Sequence, residues 1–135
     1  MYLLDSNVLI DISRRNLRYA YDLMTKSDAS MFKVPAVVKA ELLVGVNKSM
    51  NPTEQRFRLD TLLQPFDIVP FDDKCAECYA KIRSELESKG QPIGSNDYLI
   101  AATAMAHSSI LVTNNVREFK KIPGLTVESW NEIDF

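Results

Sequence analysis

The sequence is poor in the residues on which several classes of site depend. It has one histidine, two cysteines and four glycines in 135 residues. It contains no G-x-S-x-G motif, no P-loop and no G-x-G-x-x-G fingerprint, so nothing in it indicates an activated serine or a glycine loop for phosphates or dinucleotides. The histidine, His107, ends an alanine-rich helical pattern, where a role at the C-terminal helix cap is favoured over catalysis.

The two cysteines, Cys75 and Cys78, form a single C-x-x-C motif. No second pair accompanies them, and no histidine is suitably placed in the sequence, which argues against a structural zinc site. The motif falls in a helical pattern over 72–89 rather than in the strand-to-helix turn of a redox dithiol. We therefore expect two small buried helix residues.

The sequence also lacks long apolar runs and an excess of basic residues. No apolar run approaches the roughly 18 residues of a membrane span, and Asp5 interrupts the first apolar stretch, so no signal-peptide pattern is present. We expect a cytoplasmic protein that does not contact membranes. The net charge of −2 does not indicate nucleic-acid binding, but bound divalent cations can supply positive charge where phosphates approach.

What is present is the composition of one globular domain over 1–135, with 46% hydrophobic residues. Apolar runs predict strands over 2–4, 31–34, 66–70, 110–113 and 126–129. Helical patterns fall at about 7–14, 16–26, 36–47, 53–63, 73–89 and 96–107. Strands that alternate with helices predict an α/β fold with a mainly parallel central sheet of about five strands flanked by helices.

The first predicted strand ends abruptly on a carboxylate, Asp5. Ligands of open α/β sheets bind outside the carboxyl ends of parallel strands, so an acid at this point is a candidate site residue. The alternative is structural, since Asp5 can cap the helix that follows. Ser6 or Asn7 would serve equally well as that cap, which leaves Asp5 partly free.

Two further segments each contribute an acid. Glu41 lies beside the apolar stripe of the helix over 36–47, where a carboxylate needs a metal or a partner such as Lys39 or Lys48. Asp97 falls in the first turn of the alanine-rich helix, after a natural N-cap at Ser95 or Asn96. Its charge would favour the helix dipole even without any other role.

Together these three acids suggest one acidic pocket. Carboxylates packed together repel one another unless they are protonated or neutralised by cations. Mg²⁺ and Mn²⁺ suit this need, because hard divalent ions prefer oxygen ligands. A fourth polar segment, Thr113-Asn114-Asn115, lies at the end of the strand over 110–113. Its asparagines either contribute oxygen ligands or form a turn.

In their order and spacing, these segments resemble the PIN-domain family and, within it, the VapC-type toxins of toxin–antitoxin modules. The resemblance covers essentially the whole chain and predicts a PIN-like fold. It is carried by Leu4-Asp5-Ser6-Asn7-Val8-Leu9-Ile10, Ala40-Glu41-Leu42-Leu43-Val44-Gly45, Ile93-Gly94-Ser95-Asn96-Asp97-Tyr98-Leu99-Ile100-Ala101-Ala102, Leu111-Val112-Thr113-Asn114-Asn115 and the tail from Arg117 to Leu125.

The resemblance implies roles for individual residues. Asp5, Glu41 and Asp97 match the acidic metal-binding positions of the family, with Mg²⁺ as the cofactor and Mn²⁺ as a substitute. Asn115 falls where many members carry a fourth acid, which puts a second metal in doubt. Glu118 compensates for the missing acid only if its side chain folds back towards the pocket, and a solvated helix residue is the favoured interpretation. Ser6 and Thr113 match hydroxyl positions that line such pockets.

The activity implied is metal-assisted hydrolysis of RNA phosphodiester bonds, leaving 5′-phosphate ends. The resemblance also implies a homodimer that is held inactive by an antitoxin protein. The apolar residues of the helices over 36–47 and 53–63 are candidates for the groove that receives the antitoxin: Leu42, Leu43, Val46, Phe57, Leu59, Leu62 and Leu63.

Two other interpretations compete with this one. A phospho-acceptor domain also places an aspartate at a strand tip, but the phosphatase pattern requires a second acid where this chain has Asn7, and the receiver pattern is absent. The other alternative is a PIN-like binding module that has lost catalysis, for which Asn115 is the only support.

Overall fold

The computed structural model describes residues 1–14 and 28–130. The strands are β1 (Tyr2–Leu4), β2 (Phe32–Pro35), β3 (Asp67–Val69), β4 (Ile110–Val112) and β5 (Val127–Glu128). The helices are α1 (Ser6–Ser13), α2 (Ala36–Lys48), α3 (Pro52–Leu63), α4 (Asp73–Ser88), α5 (Ser95–Ala106) and α6 (Val116–Phe119). Within these ranges no helix has the length and apolar character needed to cross a membrane.

The five strands form one parallel sheet in the order β3-β2-β1-β4-β5. Tyr2 is in register with Phe32 on one side and with Ile110 on the other. The strand order reverses at β1, so the crevice between the ends of β1 and β4 is the point at which open α/β sheets bind ligands. The predicted α/β architecture with a parallel sheet of five strands is confirmed.

The central strands are covered on both faces, as their continuous apolar sequences require. Leu3, Leu4, Leu111 and Val112 are completely buried. Helix α5 is also buried along most of its length, and it packs against α4. Its alanines take little space, which allows the two helices to approach closely.

An aromatic cluster anchors the end of the described chain to the sheet. The ring of Tyr2 stacks on Phe32 at a centroid distance of 5.3 Å. Trp130 is fully buried and meets Phe32 edge-on at 5.9 Å. The segment after β5 is therefore held beside β1 and β2 by ring contacts in addition to the short pairing of β5 with β4.

The predicted elements differ from the structure mainly at their ends. The second strand begins at Phe32 rather than at residue 31, because a 3-10 turn occupies Ala29–Met31. The strands over 66–70 and 126–129 are shorter than predicted, and α6 adds a single helical turn after β4. The helix predicted over 16–26 lies outside the described residues.

Candidate active site

Asp5 stands at the tip of β1, where it caps α1 and faces the crevice beside β4. It is only 4% exposed. One carboxylate oxygen, Oδ1, accepts the Ser6 backbone N–H at 2.8 Å, so Asp5 itself is the N-cap of α1. The capping alternative for Asp5 is therefore observed, and neither Ser6 nor Asn7 takes that place. Asn7 accepts the backbone N–H of Asn114 at 3.2 Å, which ties the start of α1 to the end of β4.

The second oxygen of Asp5 is held by Thr113, which is fully buried just after β4. The Thr113 hydroxyl donates to Asp5 Oδ2 at 2.8 Å and accepts the backbone N–H of Asn115 at 3.0 Å. Thr113 thus fixes the Asp5 carboxylate and the start of α6 together. The Asn115 residue is exposed at the N-cap of α6, and its side chain makes no capping hydrogen bond.

Glu41 reaches the same region from α2, where it is half-buried. Its Oε2 accepts a hydrogen bond from the Asn96 side chain at 3.4 Å. Its Oε1 is buried and has no hydrogen-bond partner within the described part of the chain. Neither Lys39 nor Lys48 forms an ion pair with it in residues 1–14 and 28–130, so the lysine-paired alternative is not observed.

Asp97 lies in the first turn of α5, as predicted. The N-cap is Gly94, which makes no side-chain cap bond, and the prediction of a cap at Ser95 or Asn96 is wrong. The Asn96 side-chain NH2 donates to the Glu41 carboxylate instead. A Cβ added at Gly94 would stand 3.4 Å from Asp97 Oδ2, an ordinary contact distance, so Gly94 lies directly beside this carboxylate.

The three acids are close enough to influence one another's ionisation. Burial raises the pKa of Asp5 above its ordinary value, although hydrogen bonds from Thr113 and Ser6 act in the opposite direction. Burial and then the charge of Asp5 raise the pKa of Glu41, with a further contribution from Asp97. Burial and the charge of Asp5 likewise raise the pKa of Asp97. The structure therefore brings Asp5, Glu41 and Asp97 into one acidic pocket.

Glu118 adds a fourth acid to the surroundings of this pocket. Its negative charge contributes to raising the pKa of Asp97. Its side chain is 34% exposed and pairs with Lys121 at 3.2 Å, so it is partly buried beside the pocket rather than fully solvated as expected. The sequence left this position open, because it depends on how α6 packs after β4.

Two residues of the site had roles that the sequence only partly indicated. Thr113 was expected to line the pocket, but its bridge between Asp5 and the Asn115 N–H depends on the pairing of β1 with β4. Asn96 was assigned to a cap, and its contact with Glu41 joins residues 55 positions apart. The available signal was that three polar residues, Ser95, Asn96 and Asp97, stand together where one cap would suffice.

Away from the pocket, the environment of Cys75 differs from the expectation. Both cysteines lie in α4, as predicted. Cys75 is fully buried, but Cys78 is only partly buried, so the expectation of two buried residues is right for one of them. His107 is the C-cap residue of α5, which confirms its predicted place. However, its Nε2 lies 4.0 Å from the Cys75 sulfur, so the inference that no histidine is suitably placed was wrong.

Comparison with known proteins places this arrangement in a family. A model of the PIN domain matches residues 2–125. The ribonuclease VapC2 of Rickettsia felis is 38% identical over 133 residues, which cover 98% of this chain and 99% of the relative. The tRNA(fMet)-specific endonuclease VapC of Salmonella typhimurium is 30% identical over 132 residues, covering 96% of this chain and 97% of that enzyme.

Solved structures show the same fold. A crystal structure of VapBC2 from Rickettsia felis, bound to a DNA fragment from its promoter, contains a chain that matches with a TM-score of 0.87 and 38% identity. The match covers 96% of this chain and 98% of that one. DNA-bound VapBC from Salmonella typhimurium matches with a TM-score of 0.85 and 30% identity, over 96% and 97% of the two chains.

Proposed function

The chain belongs to the PIN domain family and, within it, to the VapC ribonucleases, and we propose that it is a divalent-metal-dependent endoribonuclease that acts as the toxin of a toxin–antitoxin pair. The observation that carries this proposal is the acidic pocket of Asp5, Glu41 and Asp97, in which each carboxylate has a raised pKa. The proposed substrate is RNA in the cytoplasm, cut at phosphodiester bonds to leave 5′-phosphate ends.

The oxygen donors and the negative charge of the pocket suit a hard divalent cation. Glu41 Oε1 is a buried oxygen without a partner in the described chain, and such an atom is costly unless a cation or a water occupies the space before it. The mutual repulsion of the three carboxylates would be relieved by the same charge. We propose that Asp5, Asp97 and Glu41 hold Mg²⁺, for which Mn²⁺ can substitute. When bound, the cation would polarise a phosphoryl oxygen, acidify water and offset the phosphate charge.

Hydrogen bonds within the protein orient the acidic side chains. Asp5 is oriented by the Ser6 N–H and the Thr113 hydroxyl, so its carboxylate cannot rotate away from the pocket. Asn96 orients Glu41 through Oε2 and leaves Oε1 as the oxygen that would face the cation or a water. Preorganised groups of this kind lower the barrier because they need not reorient during the reaction.

Asn115 bears on the number of metals. It is neutral, and its backbone N–H is bound to the Thr113 hydroxyl. A second cation would need another carboxylate, and Glu118 is engaged with Lys121. We therefore propose one metal per pocket, with Asn115 in contact with substrate or water rather than with a second ion.

The proposed antitoxin partner would occupy a groove between α1, α2 and α3. This groove has a volume of about 730 Å³. Its apolar lining includes Ile10, Leu42, Val46, Phe57, Leu59 and Leu62. Phe57 is 72% exposed, which is unusual for a large aromatic residue unless a partner covers it. Of the residues expected to line the groove, Leu43 and Leu63 are not part of its lining, and Leu63 is buried in the core.

Cleavage of total RNA by the purified, antitoxin-free chain tests the enzymatic proposal. We expect discrete fragments with 5′-phosphate ends in Mg²⁺, and none in EDTA or with the Asp97→Asn variant. Asp73→Asn is the matched control, since Asp73 occupies the first turn of α4 as Asp97 does that of α5, and it is exposed. The control variant should cleave at the wild-type rate.

The same experiment separates the enzyme from a silent binding module. If the folded, metal-saturated wild type leaves RNA intact, catalysis is absent and the binding module is supported. Asn115→Asp would then be the first variant to assay, because it restores the acid found in many relatives. Sedimentation of the purified chain tests the proposed homodimer, which a monomer at micromolar concentration would contradict.

A further inference from the structure

A second group of metal-binding side chains lies at the other end of α5, made of residues that the acidic pocket does not use. The donor atoms of Asp72, Cys75 and His107 all lie within 4.8 Å of one another. His107 is ten positions after Asp97, so the group stands about 15 Å along the helix axis from that carboxylate. It is therefore separate from the proposed catalytic metal.

The backbone fixes these three side chains in place. Asp72 is the N-cap of α4, and its Oδ1 accepts the Cys75 backbone N–H at 3.0 Å. This bond holds the carboxylate over the turn that carries the Cys75 thiol. His107 closes α5 with its own N–H bonded to the Thr103 carbonyl at 3.2 Å, and Ser108 then turns the chain with a φ of 50°. Because α4 packs against α5, the two helix ends meet.

The chemistry of the donors differs from that of the pocket. A thiolate, an imidazole and a carboxylate are the ligands of zinc and similar transition metals, whereas Mg²⁺ takes oxygen ligands alone. The separation of Cys75 Sγ and His107 Nε2 is 4.0 Å. In a tetrahedral zinc site these two atoms stand about 3.6 Å apart, as bond lengths of about 2.3 and 2.05 Å require. A small rotation of the partly exposed His107 ring would shorten the distance between the two atoms from 4.0 Å to this value.

We propose that Asp72, Cys75 and His107 form a second metal site, which binds Zn²⁺ or a similar transition metal and clamps the start of α4 to the end of α5. Three protein ligands leave the fourth position of a tetrahedral ion to water. Asp72 and His107 are on the accessible side, and Cys75 is completely buried, so the ion would enter past the carboxylate and the imidazole. Binding would release the thiol proton of Cys75 to solvent, so affinity should rise with pH.

Co²⁺ is a suitable probe because a thiolate ligand gives it a near-ultraviolet charge-transfer band that oxygen ligands do not give. The titration is made on the Asp5→Asn chain in excess Mg²⁺, so that the acidic pocket does not compete. We expect one equivalent of Co²⁺ to produce the thiolate band and Zn²⁺ to displace it. Absence of the band in folded, reduced protein would overturn the proposal.

The chain supplies a matched control for this assignment. Cys78 lies three residues after Cys75 in the same helix, is only partly buried and does not belong to the group. Cys75→Ser should abolish the band, and Cys78→Ser should retain it. Asp72→Asn keeps an oxygen for the helix cap and should weaken Co²⁺ binding by about tenfold or more. If the band survives in Cys75→Ser or is lost in Cys78→Ser, the thiolate ligand is not that of Cys75, and the proposed site is contradicted.

Discussion

Asp5 illustrates how one side chain combines a structural and a functional role. Both of its oxygens accept hydrogen bonds from the protein, one from the Ser6 N–H and one from the Thr113 hydroxyl. These bonds favour the ionised form, yet burial outweighs them and the pKa of Asp5 is raised. The fold therefore holds a negative charge where it is costly, which is typical of groups retained for binding or catalysis rather than for stability.

Replacing Asp5 by asparagine should separate these roles. With its single side-chain oxygen on the Ser6 N–H, asparagine would place its NH2 group against the Thr113 oxygen and donate to it, while the buried charge is removed. In metal-free buffer at neutral pH we expect Asp5→Asn to melt about 2–5 °C higher than the wild type, a gain of about 1 kcal/mol. RNA cleavage should fall to background. Thermal denaturation and the cleavage assay measure both effects, with Asp73→Asn as the control. A lower melting temperature would mean that the hydrogen bonds of the carboxylate outweigh its desolvation.

Thr113 is expected to act by positioning Asp5, since its hydroxyl touches Asp5 and the Asn115 N–H. Thr113→Val keeps the shape of the side chain but leaves the Asn115 N–H unpaired and the Oδ2 atom of Asp5 without a donor. We expect a loss of about 1–3 kcal/mol in the free energy of unfolding. We also expect kcat to decrease by about tenfold or more with KM for RNA little changed.

The conservative variant Thr113→Ser distinguishes positioning from packing. It retains the hydroxyl and loses only a methyl group, so it should recover most of the lost kcat. Denaturant titration and steady-state cleavage compare the three chains. If Thr113→Ser is as inactive as Thr113→Val, the methyl group rather than the hydroxyl is what the site requires.

Strands and helices bring these side chains together because the sheet is parallel. The ends of β1 and β4 lie side by side, which places Asp5 next to Thr113 although 108 positions separate them. Helices α2 and α5 then supply Glu41 and Asp97 from the elements that cover the sheet. Each element contributes one or two side chains, and the pocket exists only when all are assembled.

The sequence predicted the elements better than the contacts between them. The buried runs of β1 and β4 and the period of α5 are local patterns, so the fold class, the strand count and the positions of the three acids followed from them. The Asn96–Glu41 bond, the partly buried Glu118 and the approach of His107 to Cys75 depend on how α2, α4, α5 and α6 pack. Such contacts leave no periodic pattern in the sequence, and the N-cap of α5 was predicted wrongly for the same reason.

The groove between α1, α2 and α3 leads to a prediction about the proposed antitoxin. Phe57 lines it and is 72% exposed, whereas Met50 is fully exposed but is not part of its lining. With the antitoxin co-expressed, we expect the wild type and Met50→Ser to copurify with it and to be inactive. Phe57→Ser should lose about tenfold or more in affinity for the antitoxin and cleave RNA in its presence.

The affinity is measured by titration of the purified antitoxin into each variant. Because the groove lining to which Phe57 belongs contains none of the three acids, the free Phe57→Ser chain should cleave RNA at the wild-type rate. Unchanged antitoxin affinity in Phe57→Ser would exclude this groove as the docking surface.

Across the chain as a whole, the acidic pocket makes stability depend on pH in an unusual direction. A carboxyl whose pKa is raised by folding contributes stability that is complete below its unfolded pKa, about 4. That stability is lost as the pH rises through the folded pKa. Asp5, Glu41 and Asp97 all behave in this way. The exposed Asp28 and Asp72 have lowered pKa values and act in the opposite sense, but solvent screens them.

A bound cation should offset the loss of stability that the ionised carboxylates of the pocket cause near neutral pH. Mg²⁺ binds the ionised carboxylates, so the stabilisation it provides should be small at about pH 5 and several-fold larger at about pH 7.5. Melting temperatures of the wild type with and without Mg²⁺ at the two pH values measure this difference. Asp97→Asn should lose most of the Mg²⁺ effect at the higher pH, and Asp73→Asn should keep it. Since the same ionisation is needed for metal binding, the rate of RNA cleavage should rise over the pH interval in which Mg²⁺ begins to stabilise the fold. An equal Mg²⁺ effect at both pH values would show that the cation binds elsewhere than at these three acids.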